Sequence, residues 1–133
     1  MLQIAKVLAQ RATCIKLAVG CVLTDSGGRI LGSGYNGVPR GCKHCIDFPC
    51  PGAAAPKGAD LCQAVHAETN ALLVCRDIAS IHTAYVTHAP CLRCTKTFLN
   101  TGLQRVVFRH AYEVEPAAEA LWASANREWL HFV

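Results

Sequence analysis

The sequence predicts an α/β fold in which helices cover both faces of a central mixed sheet of about five strands. Short apolar, β-branched segments alternate along the chain with longer segments that have helical spacing. This alternation is typical of a three-layer α/β/α sandwich. The 133 residues are enough for one domain to bury its own core, and we expect residues 1–133 to form a single domain.

The first half of the chain predicts one helix and then an antiparallel pair of strands. Residues 2–11 have apolar side chains at helical spacing. Residues 18–24 and 29–35 are short and apolar, and DSGG at 25–28 supplies the residues that a tight turn needs. Residues 36–60 show no periodicity, and so long an irregular segment is usually functional, disordered or held by something.

The second half predicts alternating helices and strands. Helical spacing covers 61–77, 90–102 and 115–126, with Pro90 at a favoured first-turn position and Gly102 as a stop. The strands predicted in this half are 83–88, 105–108 and 129–133.

Composition excludes several classes of protein. Hydrophobic residues make up 52% and charged residues 17% of the chain, which argues against disorder. Lys6, Gln10 and Arg11 interrupt the N-terminal apolar run before it reaches signal-peptide or membrane-spanning length. The net charge of +4 is mild and scattered. We therefore expect a soluble protein with no membrane or nucleic-acid partner.

Cysteine is unusually frequent in this chain. Nine cysteines without a secretion signal favour a reducing, cytoplasmic location, where clustered cysteines are more often metal ligands or catalytic thiols than disulfides. Cys91 and Cys94, in APCLRC, are three apart in the first turn of a predicted helix, where the helix dipole favours thiolate. If consecutive helices start at one edge of the sheet, His66 of HAETN meets them. Three such ligands are typical of catalytic zinc, which keeps a fourth position open.

Glu68 completes this candidate site. Residues two apart on a helix do not face each other, so His66 and Glu68 share a centre only near a helix end. Zinc lowers the pKa of a bound water from nearly 16 to roughly 7, and a carboxylate beside that water takes its proton without binding the metal. The arrangement suits hydrolysis of an amidine-like C–NH2 group, and H-x-E followed by P-C-x-x-C is the signature of zinc nucleobase deaminases. The alternative is a redox or closed zinc CxxC with His66 in the core, but both halves occur in order.

Beyond the zinc motif, GYNGVPRG at 34–41, HAETNAL and YVTHAPCLRC resemble the deoxycytidylate (dCMP) deaminase family, from about Cys14 to Tyr112. The resemblance implies a cytidine deaminase-like fold and conversion of dCMP and water to dUMP and ammonia, supplying dUMP for thymidylate synthesis. It implies that Glu68 moves protons to ring N3 and to the departing ammonia. Asn36 would bind the sugar hydroxyl, although an asparagine there is also an ordinary turn residue.

The resemblance also implies the remaining substrate contacts. Backbone groups near Ala67 and Ala89 would hold the base edge, and Tyr112 and Lys16 would lie near the phosphate. Relatives often carry a second basic residue where Leu17 stands here. Three cations could substitute by position, although each is more typical of a solvated charge: Arg40, Arg109 and His110.

A second, structural zinc in the region after GYNG is a further implication of the resemblance. A closed four-ligand site would fix residues 36–60 and contribute folding energy; the alternative is free thiols. The expected ligands are Cys14, Cys45, Cys50 and Cys62, with His44 as a substitute. Cys42 would lie outside this site, and Cys21 and Cys75 would belong to the core.

The same family resemblance implies a homohexamer, activation by dCTP, inhibition by dTTP and Mg²⁺ accompanying a triphosphate effector.

Two alternative functions are a tRNA adenosine or free-nucleobase deaminase and a non-catalytic zinc-binding interaction module. A tRNA reader should carry a basic, aromatic surface, unlike the C-terminal EPAAEALWASANREW. An interaction module would leave Glu68 without a role, and CKHC and CLRC are too far apart for a compact zinc ribbon.

Overall fold

The computed structural model describes residues 1–56, 59–111 and 115–133. Within these ranges the chain forms five strands and four helices. In chain order they are α1 (Leu2–Ala9), β1 (Gly20–Thr24), β2 (Ile30–Tyr35), α2 (Ala67–Val74), β3 (Thr83–His88), α3 (Leu92–Leu99), β4 (Arg105–His110), α4 (Pro116–Ser124) and β5 (Glu128–His131).

The strands form one mixed sheet in the order β2-β1-β3-β4-β5. Strand β1 is antiparallel to both β2 and β3, whereas β3, β4 and β5 are mutually parallel. Strands β2 to β5 therefore point the same way, and their carboxyl ends lie at one edge of the sheet. The five-strand mixed sheet predicted from the sequence is confirmed.

The turn between β1 and β2 follows the DSGG prediction. The Asp25 carboxylate accepts a hydrogen bond from the Arg29 N–H at 2.9 Å, and Gly28 has a φ of +82°, which glycine adopts without steric cost. The strand pairing is continuous except for an irregularity between Leu23 and Thr24.

The two faces of the sheet are covered unequally. Helix α1 packs on one face, where any side chain at Gly20 would overlap the carbonyl oxygen of Ala5. Helices α2, α3 and α4 share the other face, and their buried residues join inward side chains of β1, β3 and β4 in one core that includes Ala71, Phe98 and Trp122. Cys21 is fully buried in this core, as predicted.

The predicted start of α2 was wrong. Helical spacing extended back to residue 61, but the helix begins at Ala67, with His66 as its N-cap. Val65 is extended instead, because its backbone exchanges hydrogen bonds of 2.7 and 3.1 Å with Gly37. A tertiary contact thus overrides a local apolar pattern.

Helix α3 is also shorter than predicted. It begins at Leu92, so Pro90 precedes the helix and Cys91 is its N-cap, and it ends at Leu99 before Gly102. In the part of the chain that the structure describes, the helices are eight or nine residues long, and none is long and apolar enough to cross a membrane.

Candidate metal and substrate site

The first residues of α2 and α3 lie close together at the end of the sheet where β2, β3 and β4 finish. His66 is the N-cap of α2 and Cys91 is the N-cap of α3, both with extended backbone and without a side-chain capping hydrogen bond. Cys94 lies one turn into α3. Because β2 and β3 run in the same direction, the segments that follow them enter these helices from the same side, as the sequence predicted.

The side chains at these helix starts converge. The Nδ1 atom of His66 lies 3.5 Å from the Cys91 Sγ and 3.3 Å from the Cys94 Sγ. The three potential ligand atoms all lie within 4.8 Å of one another, so the group could hold a metal ion. One imidazole nitrogen and two sulfurs are the donor set that zinc favours, and three protein ligands leave a fourth position open.

Hydrogen-bond contacts link these three side chains. Hydrogen bonds, first from Cys94 and then from His66, lower the pKa of Cys91 to about 3 in spite of burial. The hydrogen bond to Cys91, followed by burial, raises the pKa of Cys94, and the hydrogen bond to Cys91 raises the pKa of His66. These contacts favour the deprotonated form of Cys91, which is the form in which a cysteine binds a metal.

Glu68 lies beside this group without belonging to it. Its side chain sits in the first turn of α2 and is only 5% exposed. Burial raises the pKa of Glu68 to about 7, against opposing interactions with its own backbone N–H, His66 and Cys94. A buried carboxyl group with a pKa near neutrality can take up and release a proton.

A cleft of about 280 Å³ opens above these residues. Its floor includes His66, Ala67, Glu68 and Cys91. The other lining residues come from the segment before β1, from the carboxyl ends of strands and from neighbouring loops: Cys14, Lys16, Leu17, Val19, Asn36, Cys62, Ala64, His88, Ala89 and Glu115.

Residues 1–110 match the family model for the cytidine and deoxycytidylate deaminase zinc-binding region. The chain belongs to this deaminase family. The deoxycytidylate deaminase of Mycobacterium phage D29 is 41% identical over 115 residues, which cover 80% of this chain and 89% of the phage protein. The deoxycytidylate deaminase of Schizosaccharomyces pombe is 31% identical over 138 residues. That alignment covers 99% of this chain but only 42% of the yeast protein, so the chain spans less than half of that relative.

Solved structures confirm the deaminase fold. The dCMP deaminase of cyanophage S-TIM5, in complex with dCMP and dUMP, has a TM-score of 0.78 at 23% identity, with 98% of this chain and 93% of that chain covered. Acinetobacter baumannii RibD has a TM-score of 0.66 and matches 98% of this chain over 33% of its own length. The three-layer architecture predicted from the sequence is thus the fold of this family.

Asn36 is held in place at the cleft by the backbone before β1. Its Oδ1 accepts the Val19 N–H and its Nδ2 donates to the Leu17 carbonyl oxygen, both at 2.8 Å. The side chain is 6% exposed. One amide hydrogen and one oxygen lone pair remain beyond these two bonds, so the structural role of Asn36 is compatible with a substrate contact.

Four other residues were predicted to contact the substrate: Ala67, Ala89, Lys16 and Tyr112. Ala67 is the first residue of α2, where a backbone N–H has no intrahelical acceptor. The Ala89 N–H is bonded to the His110 carbonyl oxygen at 3.0 Å, and Ala89 lines the cleft. Lys16 lines the cleft. Tyr112 lies outside the described residues.

Sequence reasoning missed two polar residues of the cleft, His88 and Glu115. The His88 ring centroid lies 4.9 Å from that of His110, and burial, followed by His110, lowers the pKa of His88. The signal for His88 was its place in THAPC, directly before the cysteine motif. Glu115 has no local signal, because it follows β4 and reaches the site only through the fold.

The candidate ligands of the second zinc are only partly assembled. The Cys50 N–H donates to the Cys45 Sγ at 3.4 Å, and the Gln63 backbone is the first of several groups that lower the pKa of Cys50. The Ile46 N–H donates to the Thr13 carbonyl oxygen at 3.1 Å. Thr13 precedes Cys14 and Ile46 follows Cys45, so this bond brings the two backbone segments together. Among the described residues, however, only His66, Cys91 and Cys94 form a group of three potential ligands.

Proposed function

We propose that this chain is a zinc-dependent deaminase that hydrolyses dCMP to dUMP and ammonia. The observation that carries the proposal is the meeting of His66, Cys91 and Cys94 at a cleft that the buried Glu68 also lines. The substrate is supported by the D29 relative, a deoxycytidylate deaminase of which this chain covers 89%. The dUMP formed would be available for thymidylate synthesis.

In this proposal His66, Cys91 and Cys94 hold the zinc ion. Bound there, zinc would lower the pKa of a water molecule and so supply the nucleophile at neutral pH. Glu68 accepts one proton of that water and delivers it to pyrimidine N3, and it then passes the second proton of the same water to the amino group, which leaves C4 as ammonia. The burial that raises the pKa of Glu68 to about 7 suits a group that must be base and acid in one cycle.

Other residues around the cleft contact the base, the sugar and the phosphate of the substrate in this proposal. The Ala67 N–H and the Ala89 carbonyl hold the base edge, and Asn36 bonds the sugar hydroxyl. Lys16 and Tyr112 are the proposed contacts of the 5′-phosphate. The position of Lys16 in the lining of the cleft supports its part in this proposal.

Ammonia release and metal content, measured on the same sample, test the proposal. Substrates are dCMP, cytidine, dCTP and a tRNA stem-loop containing adenosine. Turnover confined to dCMP with zinc bound is the expected result. Turnover of the stem-loop alone, or none with zinc fully loaded, would overturn the assignment.

We also propose a second, structural zinc held by Cys14, Cys45, Cys50 and Cys62, with His44 as a substitute ligand. The contact of Cys45 with the Cys50 N–H supports it, since a metal would draw the remaining thiols to this pair. Two zinc ions per chain in the purified protein are expected. A single zinc ion that is lost on replacing Cys94 but kept on replacing Cys45 would contradict the second site.

Assembly and regulation form a further part of the proposal: a cytoplasmic homo-oligomer, a hexamer by family resemblance, that responds to dCTP with Mg²⁺ and to dTTP. Large apolar side chains left exposed on the chain, such as Val7, Leu73 and Val74, support self-association. Light scattering tests the assembly, and dCMP turnover with and without each nucleotide tests the regulation. A monomer whose turnover neither nucleotide changes would contradict them.

A further inference from the structure

Helix α3 begins without a cap of its own. The N-cap position favours Ser, Thr, Asp or Asn, whose side-chain oxygen accepts a backbone N–H of the first turn. Here the position is occupied by Cys91, which makes no capping hydrogen bond and is directed to His66. Because Cys91 is committed to the metal group, the N–H groups of the first turn need an acceptor from elsewhere.

Glu115 supplies that acceptor from 23 residues away. Its Oε2 accepts the Leu92 N–H at 2.8 Å. Leu92 is the first residue of α3 and directly follows the ligand Cys91. A carboxylate at a helix N-terminus is also favoured by the helix dipole. Glu115 lines the cleft together with His66 and Cys91, so this hydrogen bond lies next to the three potential metal ligands.

The Glu115 carboxylate does not cap α4, the helix that Glu115 itself precedes. Glu115 is the N-cap of α4, yet its side chain makes no hydrogen bond to the first turn of α4. Pro116 follows at the start of α4 and has no N–H to satisfy, while the Glu115 carbonyl oxygen accepts the Ala118 N–H at 2.8 Å. Glu115 therefore starts α4 with its backbone and caps α3 with its side chain.

We propose that Glu115 is a positioning residue for the metal-binding turn. By fixing the Leu92 N–H it holds the backbone between Cys91 and Cys94, so that both sulfurs stay at the distance from His66 that one metal ion requires. Glu115 does not bind the metal itself. The inference rests on the proposed function only in that it takes His66, Cys91 and Cys94 to be zinc ligands.

Zinc affinity, measured by competition with a chromophoric chelator, tests the inference independently of turnover. Glu115→Ala should weaken zinc binding by roughly 10- to 100-fold, the effect usual for removing an outer partner of a metal ligand. Glu115→Gln keeps an acceptor oxygen and should remain within a few-fold of the original protein. Glu119→Ala, in the first turn of the same helix α4, is the matched control and should leave zinc affinity unchanged.

Removing the donor provides a second variant that does not touch Glu115. Leu92→Pro deletes the N–H at the first helical position, where proline is well tolerated, and Leu92→Ala controls for loss of the side chain. Leu92→Pro should weaken zinc binding as Glu115→Ala does, and the double variant should be no worse than either single one. Additive losses in the double variant would overturn the proposal.

Three other results would also overturn it. Glu115→Ala could raise KM for dCMP with zinc affinity intact, which would make Glu115 a substrate contact. It could lower only the melting temperature, which would make its role merely structural. Glu115→Gln could match Glu115→Ala, which would assign the effect to charge alone. If the original protein binds zinc at this site but does not deaminate dCMP, the proposed function fails while the zinc measurements still decide the role of Glu115.

Discussion

Cys91 and Cys94 lie at the start of a helix, whereas Cys42, Cys45 and Cys50 lie in a segment without helix or strand. The first pair meets His66 at 3.5 and 3.3 Å, because the backbone of α3 and its entry from β3 fix both sulfurs. In the second region a backbone N–H of Cys50 contacts Cys45, but three ligands do not come together among the described residues. Regular structure can thus bring three potential ligands together before any metal binds, which the described part of the irregular segment does not do.

The largest difference in zinc content and turnover is expected when a cysteine is replaced by serine in each of the two regions. Cys94→Ser should remove the catalytic zinc and all measurable ammonia release, because only two of three ligands remain. Cys42→Ser, at an exposed thiol, should change the free energy of unfolding by no more than about 0.5 kcal/mol and leave turnover intact. Zinc content and initial rates are measured together. Activity in the Cys94 variant would show that the pre-assembled group is not the reaction centre.

Glu68→Gln separates proton transfer from metal binding within the helix-start region. The amide keeps the shape of the side chain but cannot accept the proton, so kcat should fall by roughly 10²- to 10⁴-fold with zinc still bound. Glu119→Gln, at an exposed carboxylate, is the matched control. A near-normal kcat in the Glu68 variant would remove the proposed role of Glu68 as proton carrier.

Phe98→Ala tests how far the helix-start site depends on the core beneath it. Phe98 is fully buried in α3, and its truncation should cost about 3–5 kcal/mol of unfolding free energy. Leu73→Ala, at a side chain that is 74% exposed, should cost no more than about 0.5 kcal/mol. Denaturant titration measures both. A loss below 1 kcal/mol at Phe98 would show that α3 is not anchored by this core.

The smallest effect on turnover is expected in the irregular region. Cys50→Ser should reduce the zinc content from two ions per chain to one and lower the melting temperature, since structural zinc contributes folding energy. The helix-start site should stay loaded, so kcat should change less than in the Glu68 variant. An unchanged zinc content would argue that Cys50 is a free thiol.

The sequence predicted the parts of the site that rest on local backbone rules. Cys91 and Cys94 share one helix face because of their spacing, and Glu68 can reach the metal group only because His66 lies at a helix end. The start of α2 was misplaced because the apolar residues before it fit a helix until Val65 pairs with Gly37. Glu115 could not be found, since its bond to Leu92 spans 23 residues and exists only in the folded chain.

The pairing of Gly37 with Val65 has a consequence for the length of the chain between them. Two backbone hydrogen bonds of 2.7 and 3.1 Å close this segment at its base, next to Asn36 on one side and His66 on the other. Doubling the length of a flexible closed loop costs only about 0.6 kcal/mol. Extra residues, such as an inserted epitope or fluorophore tag, are therefore best added at the exposed turn at Gly41, away from the proposed zinc ligands Cys45, Cys50 and Cys62, so that both flanking residues keep their positions.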